Sequence, residues 1–316
     1  MKNFVWFLAL CLCACQHPPL AYITNQGDNT VSVIDTQQQK VTQTITVGKA
    51  PVGVAVSKKL QRVYVTNVED GSISVINSAT QQVIQTIKVT GSPVGIALSP
   101  DDQTLYVADW YSDRILAINT AHTEQTRELM VGKAPAGLVV SLDSKVLYVA
   151  ARDSNQIVVI DTHTLSIQKR IDVGTHPFGV ALSRNGKQLY SVNVYDNTIS
   201  ILDLTKPDKQ ADVVKVGEHP YCVVTNTDDT KLYVTNTQDD TVSVIDLASN
   251  KRITNINVGM TPEGLSFNKA LNEVIVANWG TNNVSIINAA TDKVTTTIKT
   301  GDKSRAFGQF MLQAND

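Results

Sequence analysis

Pro51-Val-Gly-Val-Ala-Val-Ser57, Gln61-Arg-Val-Tyr-Val-Thr-Asn67, Ser72-Ile-Ser-Val-Ile-Asn77 and Val83-Ile-Gln-Thr-Ile-Lys-Val89 follow one another, separated by turn residues such as Glu69-Asp70-Gly71. Each run is short, alternates apolar with polar residues and is rich in β-branched side chains, so the segment reads as a four-stranded antiparallel meander. The unit recurs along the chain. Its marker tetrapeptide stands as Tyr22-Ile-Thr-Asn25, Tyr64-Val-Thr-Asn67, Tyr106-Val-Ala-Asp109, Tyr148-Val-Ala-Ala151, Tyr190-Ser-Val-Asn193, Tyr233-Val-Thr-Asn236 and Ile275-Val-Ala-Asn278. The first residues lie 42, 42, 42, 42, 43 and 42 positions apart, a period that belongs to a repeat architecture. One such sheet is apolar on both faces and needs a neighbour on each side, which a closed ring of seven supplies.

The fold predicted is therefore an all-β, seven-bladed propeller of four-stranded antiparallel blades. The amino terminus begins in mid-unit and supplies three strands, whereas the carboxyl terminus stops after one, near Ala306 to Leu312. Pairing these ends completes the seventh blade and removes the open sheet edges. The organisation expected is a leader over residues 1–15, a tether over 16–21 and one propeller domain over 22–316.

Within the leader, Lys2 provides the basic start and Phe4 to Leu12 a short apolar region, too short to span a bilayer. The end, Leu12-Cys13-Ala14-Cys15, resembles a bacterial lipobox, which makes Cys15 the candidate lipidation site; ordinary cleavage is the alternative. Gln16 to Ala21 would then hold the domain within ~20 Å of the membrane. Cys222 is the only other cysteine outside the leader, so no intrachain disulfide framework is available. With 27 basic and 29 acidic residues and a net charge of −2, the chain has no electrostatic reason to bind nucleic acid.

The tetrapeptide, the Val-Gly-x-x-Pro-x-Gly segments at Val47 to Gly53 and Val173 to Gly179, and the closing Ala306-Phe307-Gly308-Gln309-Phe310 resemble the YVTN-type β-propeller repeat proteins over residues 20–312. The resemblance implies an extracytoplasmic location, with relatives among surface-layer proteins, periplasmic proteins and proteins of quinone-cofactor metabolism. It implies no single activity.

Repetition separates scaffold from site, because a residue present in every blade does what every blade needs. The recurrent Asn or Asp at 25, 67, 109, 193, 236 and 278 is expected to bond its own backbone at the strand end. Gly53, Gly95, Gly137, Gly179 and Gly264 are expected where innermost strands crowd the axis. Departures concentrate on one face. His176 and His219 precede the recurrent proline in consecutive blades, and Phe178, Tyr221 and Glu263 follow it in three. Cys222 replaces the glycine of its blade. His176, His219, Cys222 and Glu263 are ligand types for Zn or Cu; alternatively the histidines are loop residues and Cys222 a small buried hydrophobe. Trp110, Tyr111, Arg152, Tyr195, Trp279 and Arg305 form a candidate binding face for a flat or anionic ligand or a partner protein, unless Trp110 and Trp279 pack over the blade tops.

No nucleophile elbow, zincin helix, haem-attachment motif or paired carboxylate is present. The leading expectation is a monomeric, non-enzymatic binding or scaffold lipoprotein of the periplasm or cell envelope, sorted to the outer membrane, that holds an envelope protein or small ligand and meets the membrane only through its lipid. The alternatives are an enzyme or accessory protein of periplasmic oxidation, quinone-cofactor-linked or metal-dependent, a lactone hydrolase, or a structural surface protein.

Overall fold

The computed structural model describes residues 18–206 and 208–313; Cys15 and the leader lie outside them. Seven antiparallel sheets follow one another along the chain. Blade 2, for example, runs outward through Pro51–Ser57, Arg62–Asn67, Ser72–Asn77 and Gln82–Lys88. Blades 3 to 7 repeat this order over residues 93–130, 135–172, 177–215, 220–257 and 262–299. Their innermost strands touch in succession around the ring. Blade 1 is composite: Met311–Leu312 pairs with Leu20–Asn25, which is followed by Thr30–Asp35 and Lys40–Thr46.

The closure extends beyond that pair. Tyr22 N–H donates to the Phe310 carbonyl (3.0 Å) and Arg305 N–H to that of Thr24 (2.8 Å). Phe307–Gln309 also lies parallel to Gly53–Ala55 of blade 2, tying the last strand to both neighbours. Phe310, Met311 and Leu312 are buried in the cluster that packs blade 1 between its neighbours.

Burial grades outward. The inner three strands of blade 2 are buried on both faces, whereas the outermost is exposed except for Ile87. The alternation read from the sequence therefore reports a half-buried strand only at the rim; farther in, a neighbouring blade covers each face.

Each letter of the tetrapeptide has its own task. The tyrosines at 22, 64, 106, 148, 190 and 233 are buried between blades. In blade 2 the Thr66 hydroxyl accepts from Gly53 N–H (2.8 Å) and donates to the Val94 carbonyl of blade 3 (3.0 Å), so it stitches one blade to the next. Thr24 and Thr235 repeat this at blades 1 and 6. The recurrent asparagine differs from expectation. Asn67 donates to Ser72 and Ser74 hydroxyls, both 3.0 Å away on the next strand, and Asn25, Asn193 and Asn236 donate to their equivalents. It clamps two strands through side chains instead of turning back on its own backbone. Where blade 3 has Asp109, Arg114 stands in the partner position and makes an ion pair at 3.0 Å; where blade 4 has Ala151, the partners are Gln156 and Val158.

The glycines fulfil the close-approach expectation. A Cβ on Gly95 would lie 1.9 Å from the Ala136 carbonyl oxygen of blade 4, and one on Gly264 2.0 Å from that of Ala306.

Candidate functional site

Six proline residues and Ser304 begin the innermost segments opposite the tetrapeptide's last residue. In blades 2 to 7 a register shift follows each proline at once. Such a bulge re-aims the next side chain. The seven equivalent residues are Val52, Val94, Ala136, Phe178, Tyr221, Glu263 and Arg305. Small apolar groups occupy one half of this ring and large or charged groups the other.

The large half is tightly bonded. Phe178 and Tyr221 stack with centroids 3.9 Å apart, and Phe307 lies 5.0 Å from Phe178. Arg305 forms an ion pair with Glu263, donates from Nη2 to the Tyr221 hydroxyl (2.7 Å) and contacts Gln26 Oε1 (3.4 Å). Glu263 is 8% exposed. Burial pushes its carboxyl up, and the guanidinium opposes that shift. Burial likewise raises the Tyr221 hydroxyl and holds the Cys222 thiol well above its ordinary value, so Cys222 is a protonated, apolar-packed side chain.

Above that floor stand residues from two kinds of loop, those entering the innermost strand and those joining the second to the third. Backbone bonds hold the two together: Trp110 N–H donates to the Ser92 carbonyl, Arg152 to Ala134, Val194 to His176, Thr237 to His219 and Trp279 to Thr261, at 3.0–3.2 Å. A side-chain cap adds to them. Asn155 Oδ1 accepts from His176 N–H (2.9 Å) and Asn197 Oδ1 from His219 N–H (3.0 Å), fixing both histidines in the left-handed region at φ 55° and 50°. Short 3₁₀ turns at Trp110–Ser112 and Arg152–Ser154 present Trp110 and Arg152.

Together these residues enclose a cup of about 290 Å³, walled by Trp110, Arg152, Phe178, Val194, Tyr195, His219 and Tyr221, with Thr237, Thr261 and Glu263 on the side of blades 6 and 7. The Arg152 guanidinium carbon lies 5.3 Å from the Trp110 ring centre and 5.9 Å from that of Tyr195, within cation–π range. Tyr195 is flanked by His176 at 4.1 Å and His219 at 5.6 Å. Burial, and secondarily the Arg152 charge, lower the His176 pKa.

The structure divides the residues singled out by sequence. Trp110, Arg152 and Tyr195 meet at the cup. Tyr111 points away, 78% exposed. Trp279 lies outside the cup and reaches across to blade 1, donating from Nε1 to Gln26 Oε1 (3.3 Å), with Lys303 Nζ 5.5 Å from its ring centre. Arg305 lies in the floor, paired. The Zn or Cu set does not assemble: Glu263 is held by Arg305, Cys222 is buried as a thiol, and no cluster of three or more His, Cys, Asp or Glu able to hold an ion occurs among the described residues. Val194, Thr237 and Thr261 share the loop positions of the departures but carry no signal of their own, because none departs in chemistry from an ordinary loop residue.

No family model matches the chain. Among curated proteins, a PE-PGRS family protein of Mycobacterium tuberculosis (strain ATCC 25618 / H37Rv) is 64% identical over 36 residues, which is 11% of this chain and 8% of that protein. Solved structures match almost throughout. Kuenenia stuttgartiensis hydrazine synthase aligns with a TM-score of 0.78 at 21% identity, covering 86% of this chain and 92% of that chain. A functionally unknown protein from Desulfotomaculum acetoxidans DSM 771 also gives 0.78, at 15% identity over 92% and 99%. Dihydro-heme d1 dehydrogenase NirN in complex with DHE gives 0.72, at 12% identity over 93% and 75%. At these identities the likeness is one of fold: the chain is a seven-bladed β-propeller.

Proposed function

We propose that this chain is a YVTN-type propeller of the bacterial envelope that binds a partner or small ligand in its aromatic cup and works as a binding or scaffold protein. The observation that carries this reading is the convergence of Trp110, Phe178, Tyr195 and Tyr221 from blades 3, 5 and 6 on one cavity. Blades 1 and 2 place no aromatic side chain there. Pockets with aromatic walls and few polar groups are the common form of a ligand site. The leader, with Cys15 as acylation site, supports extracytoplasmic attachment through lipid; among the described residues no helix is long and apolar enough to cross a membrane.

The test is recovery of bound material from the natural host by native mass spectrometry. Trp110→Ala should lose the bound species, while Trp279→Ala, outside the cup, should keep it. Retention by Trp110→Ala refutes the cup. Cys15→Ala should move the chain from the membrane fraction to the soluble fraction; an unchanged distribution removes the lipid anchor from the reading.

A further inference from the structure

We infer that the occupant of the cup is a compact planar aromatic anion, with its ring against the aromatic walls and its acid group on Arg152; this rests on the cup being a binding site. Three observations lead there. The walls are π-faces and edges, and the volume of about 290 Å³ lies at the small end of ligand pockets, room for one or two fused rings. Flat groups fill such a slot with offset or edge-on stacking, which adds to the gain from burial.

The charge of the cup selects the second half of the ligand. Arg152 and Glu263 are its charged lining residues. Glu263 is already neutralised by Arg305, whose Nη2 is also engaged by Tyr221. Arg152 is itself ion-paired with Asp153, but through Nη1 alone and with a carboxylate 41% exposed, which leaves Nε and Nη2 without a hydrogen-bond acceptor among the described residues. Its side chain is 21% exposed and lies over Trp110 and Tyr195, so the guanidinium fork is oriented before any ligand arrives. A carboxylate or comparable oxyanion fits a fork bidentately.

A cationic occupant fits poorly. Aromatic cages hold ammonium groups over ring faces, yet here Arg152 already covers Trp110 and Tyr195 and the one carboxylate in the cup is paired. An aliphatic acid would satisfy Arg152 and leave the stacking faces unused.

Calorimetric titration of the full chain with four probes tests this: 2-naphthoate, 2-naphthylmethanol, 2-naphthylmethylammonium and cyclohexanecarboxylate. Saturable binding of 2-naphthoate is expected, about tenfold or more tighter than the other three, since a charge-assisted hydrogen bond contributes ~1.5–3 kcal/mol. Arg152→Gln should erase the preference for acid over alcohol with unchanged Tm, and Arg152→Lys should keep part of it. Equal binding of the alcohol or the ammonium overturns the assigned class and leaves the cup standing. Absence of binding by every probe also overturns the class; if Trp110→Ala still strips the native ligand in that case, the binding function survives, and if it does not, both fall.

Discussion

Two halves of one ring differ. At positions made equivalent by the proline pairing, blades 2 to 4 carry Val52, Val94 and Ala136, whereas blades 5 to 7 and the closing strand carry Phe178, Tyr221, Glu263 and Arg305. The backbone is the same in blades 2 to 7, a bulge after proline with a glycine or its substitute next in line, and the closing segment has Ser304 in place of the proline. In both halves the glycine that follows lets neighbouring backbones close to the limit that only glycine tolerates, at Gly95 of blade 3 as at Gly264 of blade 7. On the large half, side chains fill the mouth of the ring and bond to one another. Scaffold and site thus share one set of positions, and chemistry is added where the repeat can be relaxed without opening the ring.

The largest effect expected tests whether the large half depends on closure. Truncation after Ser304 removes Arg305 together with buried Phe310, Met311 and Leu312, each worth roughly 1.5–3 kcal/mol. The sum approaches a domain's total stability of about 5–15 kcal/mol, so circular dichroism and size exclusion should report an unfolded or aggregated chain. A melting temperature like that of the intact protein would refute closure as the source of the seventh member.

Next in size is the charged pair. Arg305→Met leaves Glu263 buried without a counter-ion and should cost about 3–5 kcal/mol in urea unfolding. The double variant Arg305→Met/Glu263→Gln should recover most of it, giving a coupling energy of ~1 kcal/mol or more. Additive losses would show that the two residues are independent.

The small half is probed by Gly95→Ala. With 1.9 Å from the new Cβ to the Ala136 oxygen, backbone must shift, at about 1–3 kcal/mol. Cys222→Ala, at the equivalent position of blade 6, creates no such clash and should cost about 1 kcal/mol from lost burial. Equal costs would show that the close approach at Gly95 does not set the spacing of the innermost strands.

The smallest effect concerns blade 7 away from the ring. Glu273 is buried, its Oε2 has no hydrogen-bond partner, and burial raises its pKa above the ordinary 4.5. A carboxyl whose folded pKa is raised contributes stability below its unfolded pKa and loses it as pH climbs through the folded one. Glu273→Gln should therefore raise Tm at pH 7 and leave it unchanged near pH 4; a gain of equal size at both would exclude ionisation as the cause.

Much of the site was written in the repeat, although not in a form that shows its contacts. The departures Phe178, Tyr221 and Glu263 stand out by alignment to the proline, and Arg305 lies 42 residues beyond Glu263, the signal that marks it as the next member of the ring. The clamp of the recurrent asparagine was missed in favour of a bond to its own backbone, although its exceptions carry the signal: Asp109 brings Arg114 and Ala151 brings Val158. The two tryptophans were not separable: both follow the tetrapeptide, and only their places around the ring put one in the cup and the other against Gln26 of blade 1.

The sequence alone determined the architecture, because a 42-residue period of alternating strands with apolar faces on both sides has no low-energy arrangement except neighbour against neighbour in a closed ring. It also determined which face carries the departures, since strand order sets the end at which each loop emerges. The tertiary structure decided which departures meet. Side chains that share a face can be tens of residues apart, and whether a carboxylate becomes a metal ligand or the partner of a guanidinium depends on a few ångströms set by bulges, loop caps and burial.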